Sequence, residues 1–200
     1  VLLTIAIGFA ALAKYAAVYF FPCAVLAAGL AAPMRGTPRL WLSMGLGFAV
    51  TILPNVAWNL THDLSTVEHT LDNVGWVRDT TGPSLNPGSL GAFLAAQFAV
   101  FGPILFAALL WAVANTRPAM RRALIAFSLP ILLVVCVQAL LDRAYANWAV
   151  VTYFAGTLVA VPFLLDRAPR LLSVSLVINT MIAILLPALT ILAPWPYRDG

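Results

Sequence analysis

The sequence predicts an all-α fold, a polytopic transmembrane helical bundle of about six to seven spans. It reads as a single transmembrane domain, residues 1–200, with a polar extracytoplasmic loop at 58–89 that carries short helices. Three observations lead there. Of the 200 residues, 62% are hydrophobic and 9% charged, which leaves too little polar surface for a water-soluble domain. The apolar residues come in runs near the roughly 17 to 25 residues that cross a bilayer, not in the narrow stripes of amphipathic helices. The charges collect between those runs. A net charge of +4 does not make this a nucleic-acid protein, because the basic residues are scattered in short loops and form no continuous stripe.

Residues 1–32 are nearly all apolar. As one straight helix at about 1.5 Å per residue they would be roughly 48 Å long, against a hydrocarbon core of roughly 30 Å. The break falls at Lys14, the single lysine, leaving 1–13 as the end of a cut span and 15–32 as a complete one, with a kink expected at Pro22. Val1 lies inside an apolar run with no initiator methionine, basic region or cleavage site, so the chain reads as an excerpt of a longer protein. Residues 33–39 form a turn with two arginines. The next span is 40–57, where Gly45 and Gly47 offer close helix contacts and Pro54 stands near the far end.

In 58–89 the helix formers as far as Val77 allow one or two short surface helices, and RDTTGPSLNPGS reads as irregular loop. Spans follow at 90–113, 123–141, 149–165 and 171–193, joined by NTRPAMRR, by DRAYANW at 142–148 and by DRAPR at 166–170, with Pro194 closing the last. Gln97, Gln138 and Asn179 lie inside spans and read as interhelical hydrogen bonds, not as a permeation path. Cys23 and Cys136 sit in apolar segments, where no disulfide is expected.

Loop charge sets the sidedness. Loops 33–39, 114–122 and 166–170 hold seven arginines and one acid, Asp166, whereas 58–89, 142–148 and 195–200 hold three arginines and six acids. The positive-inside rule makes the first set cytoplasmic and puts loop 58–89 in the periplasm. Trp58, Trp148 and Trp195 then mark outer span ends and Trp41 and Trp111 inner ones, as an interfacial belt would.

Residues capable of chemistry concentrate on the outer side. His62 and His69 are seven apart, about two turns of one helix, with Asp63 and Glu68 flanking them. The helical zinc pattern spaces its histidines by about four, and no third ligand follows, so no metal is expected. The pair reads either as solvated loop histidines or as contacts to a charged or hydroxylated substrate, serving as proton donor, acceptor or phosphate partner. Asn59, beside Trp58, fits a sugar contact or a polar helix end equally well, and its NLT sequon is read as chance. Lys14 would cost several kcal/mol unpaired at mid-bilayer. Because 15–32 ends at the cytoplasmic loop, Lys14 falls on the outer side, as a phosphate ligand or as a side chain snorkelling to headgroups. Arg143, Tyr145, Asn147 and Trp148 crowd one corner, where an arginine can fork onto phosphate and rings can stack on a sugar, or where a capped turn carries a belt tryptophan.

The order GFAALAKY at 8–15, LPNVAWNLTHDLSTVEHT at 53–70, NPGS at 86–89, QFAVFGP at 97–103 and RAYANWAVVTY at 143–153 resembles the later half of bacterial glycosyltransferase family 39-like membrane proteins, relatives of protein mannosyltransferases and the lipid A aminoarabinose transferase, of GT-C fold. The resemblance covers most of the chain. It implies a bacterial inner-membrane hexosyl- or pentosyltransferase that takes a sugar from a polyprenyl-phosphate donor and gives it to a lipid, glycan or protein acceptor on the periplasmic face, with inversion and without a cofactor. The family's catalytic aspartate is expected upstream of residue 1, so the general base is unassigned and Asp63 is not promoted to it. The substrate-binding wall is then Lys14 and Arg143 against the carrier phosphate, His62, His69 and Asn59 positioning sugar or phosphate, and Tyr145 and Asn147 beside them. A transporter or a flippase of lipid-linked sugars is the alternative; a transporter would want ionisable groups at mid-membrane and a repeated half, and every acid here falls in a loop. A membrane scaffold is a third reading, and it leaves the histidine-rich loop unexplained.

Overall fold

A computed structural model describes residues 2–73, 85–115 and 118–192. Ten α-helices and three 3-10 turns occur among the described residues, with no strand. The predicted positions of Trp195, Pro194 and most of the irregular loop after Val77 lie outside them.

The first break is where the length argument requires it. Helix α1 (Leu2–Ala13) stops at Lys14, which is extended at φ −158°, and a 3-10 turn (Tyr15–Tyr19) leads into α2 (Phe20–Leu30). The Lys14 N–H still donates to Ala10 O at 2.8 Å and its own carbonyl accepts from Ala17 N at 3.0 Å, so the chain turns without orphaning that peptide. Pro22 does not kink a span. It stands in the first turn of α2, where a missing N–H costs nothing because those donors have no helical partner.

Helix α3 (Pro38–Thr61) starts with Pro38 behind Thr37, whose hydroxyl accepts from Leu40 N at 3.3 Å. It runs past the predicted end at 57 and takes Trp58, Asn59 and Thr61 with it, so loop 58–89 begins four residues later than expected. Helices α1 and α3 lie parallel, since the pairs Thr4 with Gly47 and Gly8 with Thr51 advance together along both. A Cβ on Gly8 or Gly47 would run into those threonines, while one on Gly45 meets open space. Of the two predicted contact glycines, only Gly47 makes the contact.

Past α4 (Ser65–Asn73), the predicted single span 90–113 is instead two helices, α5 (Pro87–Val100) and α6 (Pro103–Asn115), bent by 110°. Gly102, at φ +89°, adopts a left-handed backbone that side-chain-bearing residues avoid, and Pro103 has no N–H to continue α5. Helices α7 (Ala119–Ala126) and α8 (Leu129–Leu141) are interrupted at Phe127–Ser128 and together form one apolar length of 23 residues. After the corner come α9 (Thr152–Arg167) and α10 (Pro169–Leu192).

Among the described residues, three helices are long and apolar enough to cross a membrane: α3, the α7–α8 pair and α10. The count is four if bent α5–α6 is one span. Helix α1 and the stretch Tyr15–Leu30 are apolar but shorter. The core packs Phe93, Phe106 and Leu109 of α5 and α6 against Val135 of α8 and Tyr153 and Val159 of α9. Phe101 stacks on Tyr153 at 4.2 Å between centroids.

The loops sort to two ends of the bundle. At one, α2 meets α7 through Ala27, Ala31, Ala123 and Ala126, and Arg121 approaches Asp166 at 4.0 Å. These belong to the arginine-rich loop set. At the other end lie Lys14, the end of α3, α4, the start of α5 and the 142–148 corner.

Candidate functional site at the Lys14 end

The corner at 142–148 is held by its main-chain carbonyls: four are bonded by side chains, three from distant parts of the chain and one from the helix that leads into the corner. Asn86 Nδ2 donates to Asp142 O at 3.4 Å, Gln138 Nε2 to Arg143 O at 3.4 Å, Gln97 Nε2 to Ala146 O at 3.3 Å and Lys14 Nζ to Asn147 O at 3.2 Å. Asn86 also caps α5, its Oδ1 accepting from Ser89 N at 3.0 Å, and its N–H donates to Leu140 O. Lys14 and the corner, predicted to share a face, are thus in direct contact. The partner of the ammonium is a neutral carbonyl, which leaves its charge uncancelled by that bond.

Asn59 is buried, 4% exposed, and organises the α3–α4 turn. Its carbonyl accepts from His62 N at 3.2 Å and Leu64 N at 2.9 Å, and its Oδ1 accepts from Thr66 N at 3.1 Å. Its Nδ2 donates to Asn55 O at 2.9 Å and Asn55 Oδ1 at 3.3 Å. Asn55 Oδ1 in turn accepts from Tyr15 OH at 3.1 Å, so a polar chain links the residue after Lys14 to the start of α4. These bonds hold Asp63 and Leu64 at φ 53° and 54°, conformations that cost of order 1 kcal/mol each without glycine.

The histidines are not on one helix face. Thr61 ends α3, residues 62–64 turn, and His69 belongs to α4. The left-handed pair at 63–64 breaks the helical register that a spacing of seven assumes. His62 lies flat on Trp58, with centroids 4.3 Å apart and rings inclined by 13°, and its Nδ1 is 2.8 Å from Trp58 O. With Nδ1 protonated it donates to that carbonyl and keeps Nε2 as an acceptor. His69 is exposed, one residue before the groove residue Thr70.

Two apolar grooves meet here. One, of about 490 Å³, lies between α1, α3 and α4, with Asn55, Asn59 and Tyr15 among its lining. The larger, of about 840 Å³, has Lys14, Thr70 and Trp148 at the corner end and runs along α8 past Leu141, Val137 and Leu133. Tyr15, Val18 and Thr70 line both. Along α8 the larger groove extends roughly 12 Å at about 1.5 Å per residue. A cation at the head of such a groove suits an amphiphile with an anionic head and a hydrocarbon tail.

Of the sequence candidates, Lys14 and Asn59 line a groove, and Asn147 contributes its carbonyl. Arg143 is exposed with its guanidinium 5.7 Å from the Tyr145 ring centroid, Tyr145 packs edge-on against Trp148 at 5.4 Å, and neither groove is lined by Arg143, His62 or His69. Sequence reasoning missed Tyr15, Asn55 and Thr70. The spacing of four between Asn55 and Asn59 was the available signal, since it stacks two amides on one helix face. No group of three or more His, Cys, Asp or Glu side chains among the described residues could hold a metal ion.

No protein-family model matches the chain, and no solved structure matches it. Among curated proteins it is similar to the lipid A galacturonosyltransferase RgtD of Rhizobium johnstonii, with 40% identity over 189 residues, which cover 92% of this chain and 39% of the relative. The chain therefore spans about two fifths of the length of the curated relative it matches.

Proposed function

We propose that this chain is part of a bacterial inner-membrane glycosyltransferase that moves a sugar from a polyprenyl-phosphate donor to an acceptor hydroxyl at the periplasmic face. The similarity to a transferase that, by its name, acts on lipid A favours a lipid acceptor over a glycan or a protein. In this reading α1, the Tyr15–Leu30 stretch and α9 also cross the bilayer, giving about six to seven passages, and the Lys14 end, with loop 58–89, is periplasmic.

The observation that carries the proposal is Lys14 at the head of the 840 Å³ groove. The isoprenoid lies along α8 and the phosphate meets the ammonium. When the bond between the anomeric carbon and the phosphate oxygen breaks, the electron pair stays on the phosphate and its negative charge grows. A unit charge about 4 Å away, at the effective dielectric of a protein surface, is worth about 4 kcal/mol. The acceptor oxygen takes the anomeric carbon, and its proton goes to a general base. Trp148, which lines the groove with Lys14, offers a ring beside the phosphate position, and Tyr145 packs edge-on against it.

Lys14→Ala in the full-length protein, assayed in membranes with a radiolabelled polyprenyl-phosphate sugar, should lose roughly 100-fold in transfer at unchanged membrane abundance. Lys14→Arg should retain part of it. Parental turnover in Lys14→Ala would remove the phosphate role.

A further inference from the structure

Gln97 is fully buried in α5, and its amide is used on both ends. Nε2 donates to Phe93 O at 3.0 Å and across to Ala146 O at 3.3 Å, while Oε1 accepts from Tyr153 OH at 2.7 Å. Tyr153 is itself locked, stacked on Phe101 and edge-on to Phe106. The carbonyl one residue beyond Ala146 is that of Asn147, the acceptor for Lys14. Successive carbonyls of one turn therefore carry the buried amide and the exposed ammonium.

We infer that Gln97 and Tyr153 are positioning residues for Lys14: together they fix the Ala146–Asn147 backbone so that the Asn147 carbonyl holds the Lys14 ammonium at the head of the groove. A carbonyl with no side-chain tether would let the corner drift, and the ammonium with it. Displacements of about 1 Å at a reacting centre can cost on the order of 100-fold in rate. Packing alone does not require this arrangement. An apolar residue of similar size at 97 would fill the same space between α5, α8 and α9 with no polar group to satisfy, and a buried amide is retained at a cost unless each of its bonds is made.

The inference rests on the phosphate role of Lys14, and a double-mutant cycle in the full-length enzyme separates the two. Gln97→Leu with Tyr153→Phe removes both partners of their mutual bond, so neither is left orphaned by the other. Besides that bond it loses the Gln97 donations to Phe93 O and to Ala146 O, the tether under test, so thermal stability should fall only slightly below the parent. Transfer from the polyprenyl-phosphate sugar should fall roughly tenfold or more, in kcat and not in KM for the acceptor. In a Lys14→Ala background the same pair should cost less than about twofold, because the group it positions is gone. If the double variant does not accumulate, Gln97→Met takes its place in the same cycle. Parental kcat in the pair, or an equal loss with and without Lys14, overturns the inference. Parental turnover in Lys14→Ala alone overturns the phosphate reading and the inference with it, whereas a Lys14→Ala loss beside an unaffected pair overturns only the inference.

Discussion

Asn59 Oδ1 accepts a hydrogen bond from the Thr66 backbone N–H at 3.1 Å and thereby ties the first turn of α4 to the last turn of α3. Asn59→Ala removes that acceptor together with two donor bonds to Asn55, each worth about 0.5–1.5 kcal/mol. Amide exchange across 65–71 should accelerate while α9 is unaffected. Asn59→Asp should be no better despite keeping the acceptor, because it turns an oxygen onto the Asn55 carbonyl. Unchanged protection in α4 would refute the capping role.

The α1–α3 contact depends on side-chain volume at one glycine and not at its neighbour. Gly47→Leu should destabilise the purified protein by roughly 1–3 kcal/mol in a thermal melt, as overpacked helix contacts do. Gly45→Leu, pointing into open space, should melt with the parent. Equal shifts would mean that α1 does not pack on this face.

At Gly102 both the backbone and the space forbid a side chain. Gly102→Ala meets a φ of +89° and the amide of Asn179, whose Nδ2 donates to Phe101 O at 3.3 Å. A loss of about 1–3 kcal/mol is expected, and Asn179→Ala alongside it should recover only the steric part. A neutral Gly102→Ala would argue for a straighter α5–α6 than the 110° bend.

The two cations should behave differently. Lys14 lines the larger groove and Arg143 does not. Arg143→Ala should cut transfer less than about tenfold, mostly through donor KM and more at low salt, as a surface charge attracting an anion does. A loss matching that of Lys14→Ala would move Arg143 onto the phosphate.

Sidedness can be read chemically. After Cys23 and Cys136 are replaced, Glu68→Cys should react with a membrane-impermeant maleimide from the periplasm, and Arg122→Cys only after permeabilisation. The reverse pattern would invert the orientation that the loop arginines imply.

The parts of the fold that were legible are those that length and charge decide. Residues 1–32 cannot be one helix in a bilayer, so a break followed from dimensions and its place from the lone lysine, and the structure has it there. The gathering of Lys14 with the 142–148 corner followed from alternating loop charge. Gln97 and Asn179 do bond between elements, Gln97 through both ends of its buried amide and half-buried Asn179 through its Nδ2. The bend at Gly102 was signalled by a Gly-Pro dipeptide, but continuous hydropathy from 90 to 113 concealed it. The turn at 63–64 carried no signal, because aspartate and leucine sit in a conformation that glycine normally marks. That hidden turn is why a spacing of seven does not bring the two histidines onto one face. Choosing Gly47 over Gly45 required knowing which way α3 faces α1, and no periodicity in a uniformly apolar helix records that.

Because the 142–148 corner is anchored through its peptide oxygens, its shape is largely blind to which side chains it displays. Arg143 and Tyr145 can be exchanged without loosening any of the four anchors that hold the loop. Such a turn is a fixed socket with interchangeable fittings: the side chains at 143 and 145 can change while the scaffold beneath them stays the same.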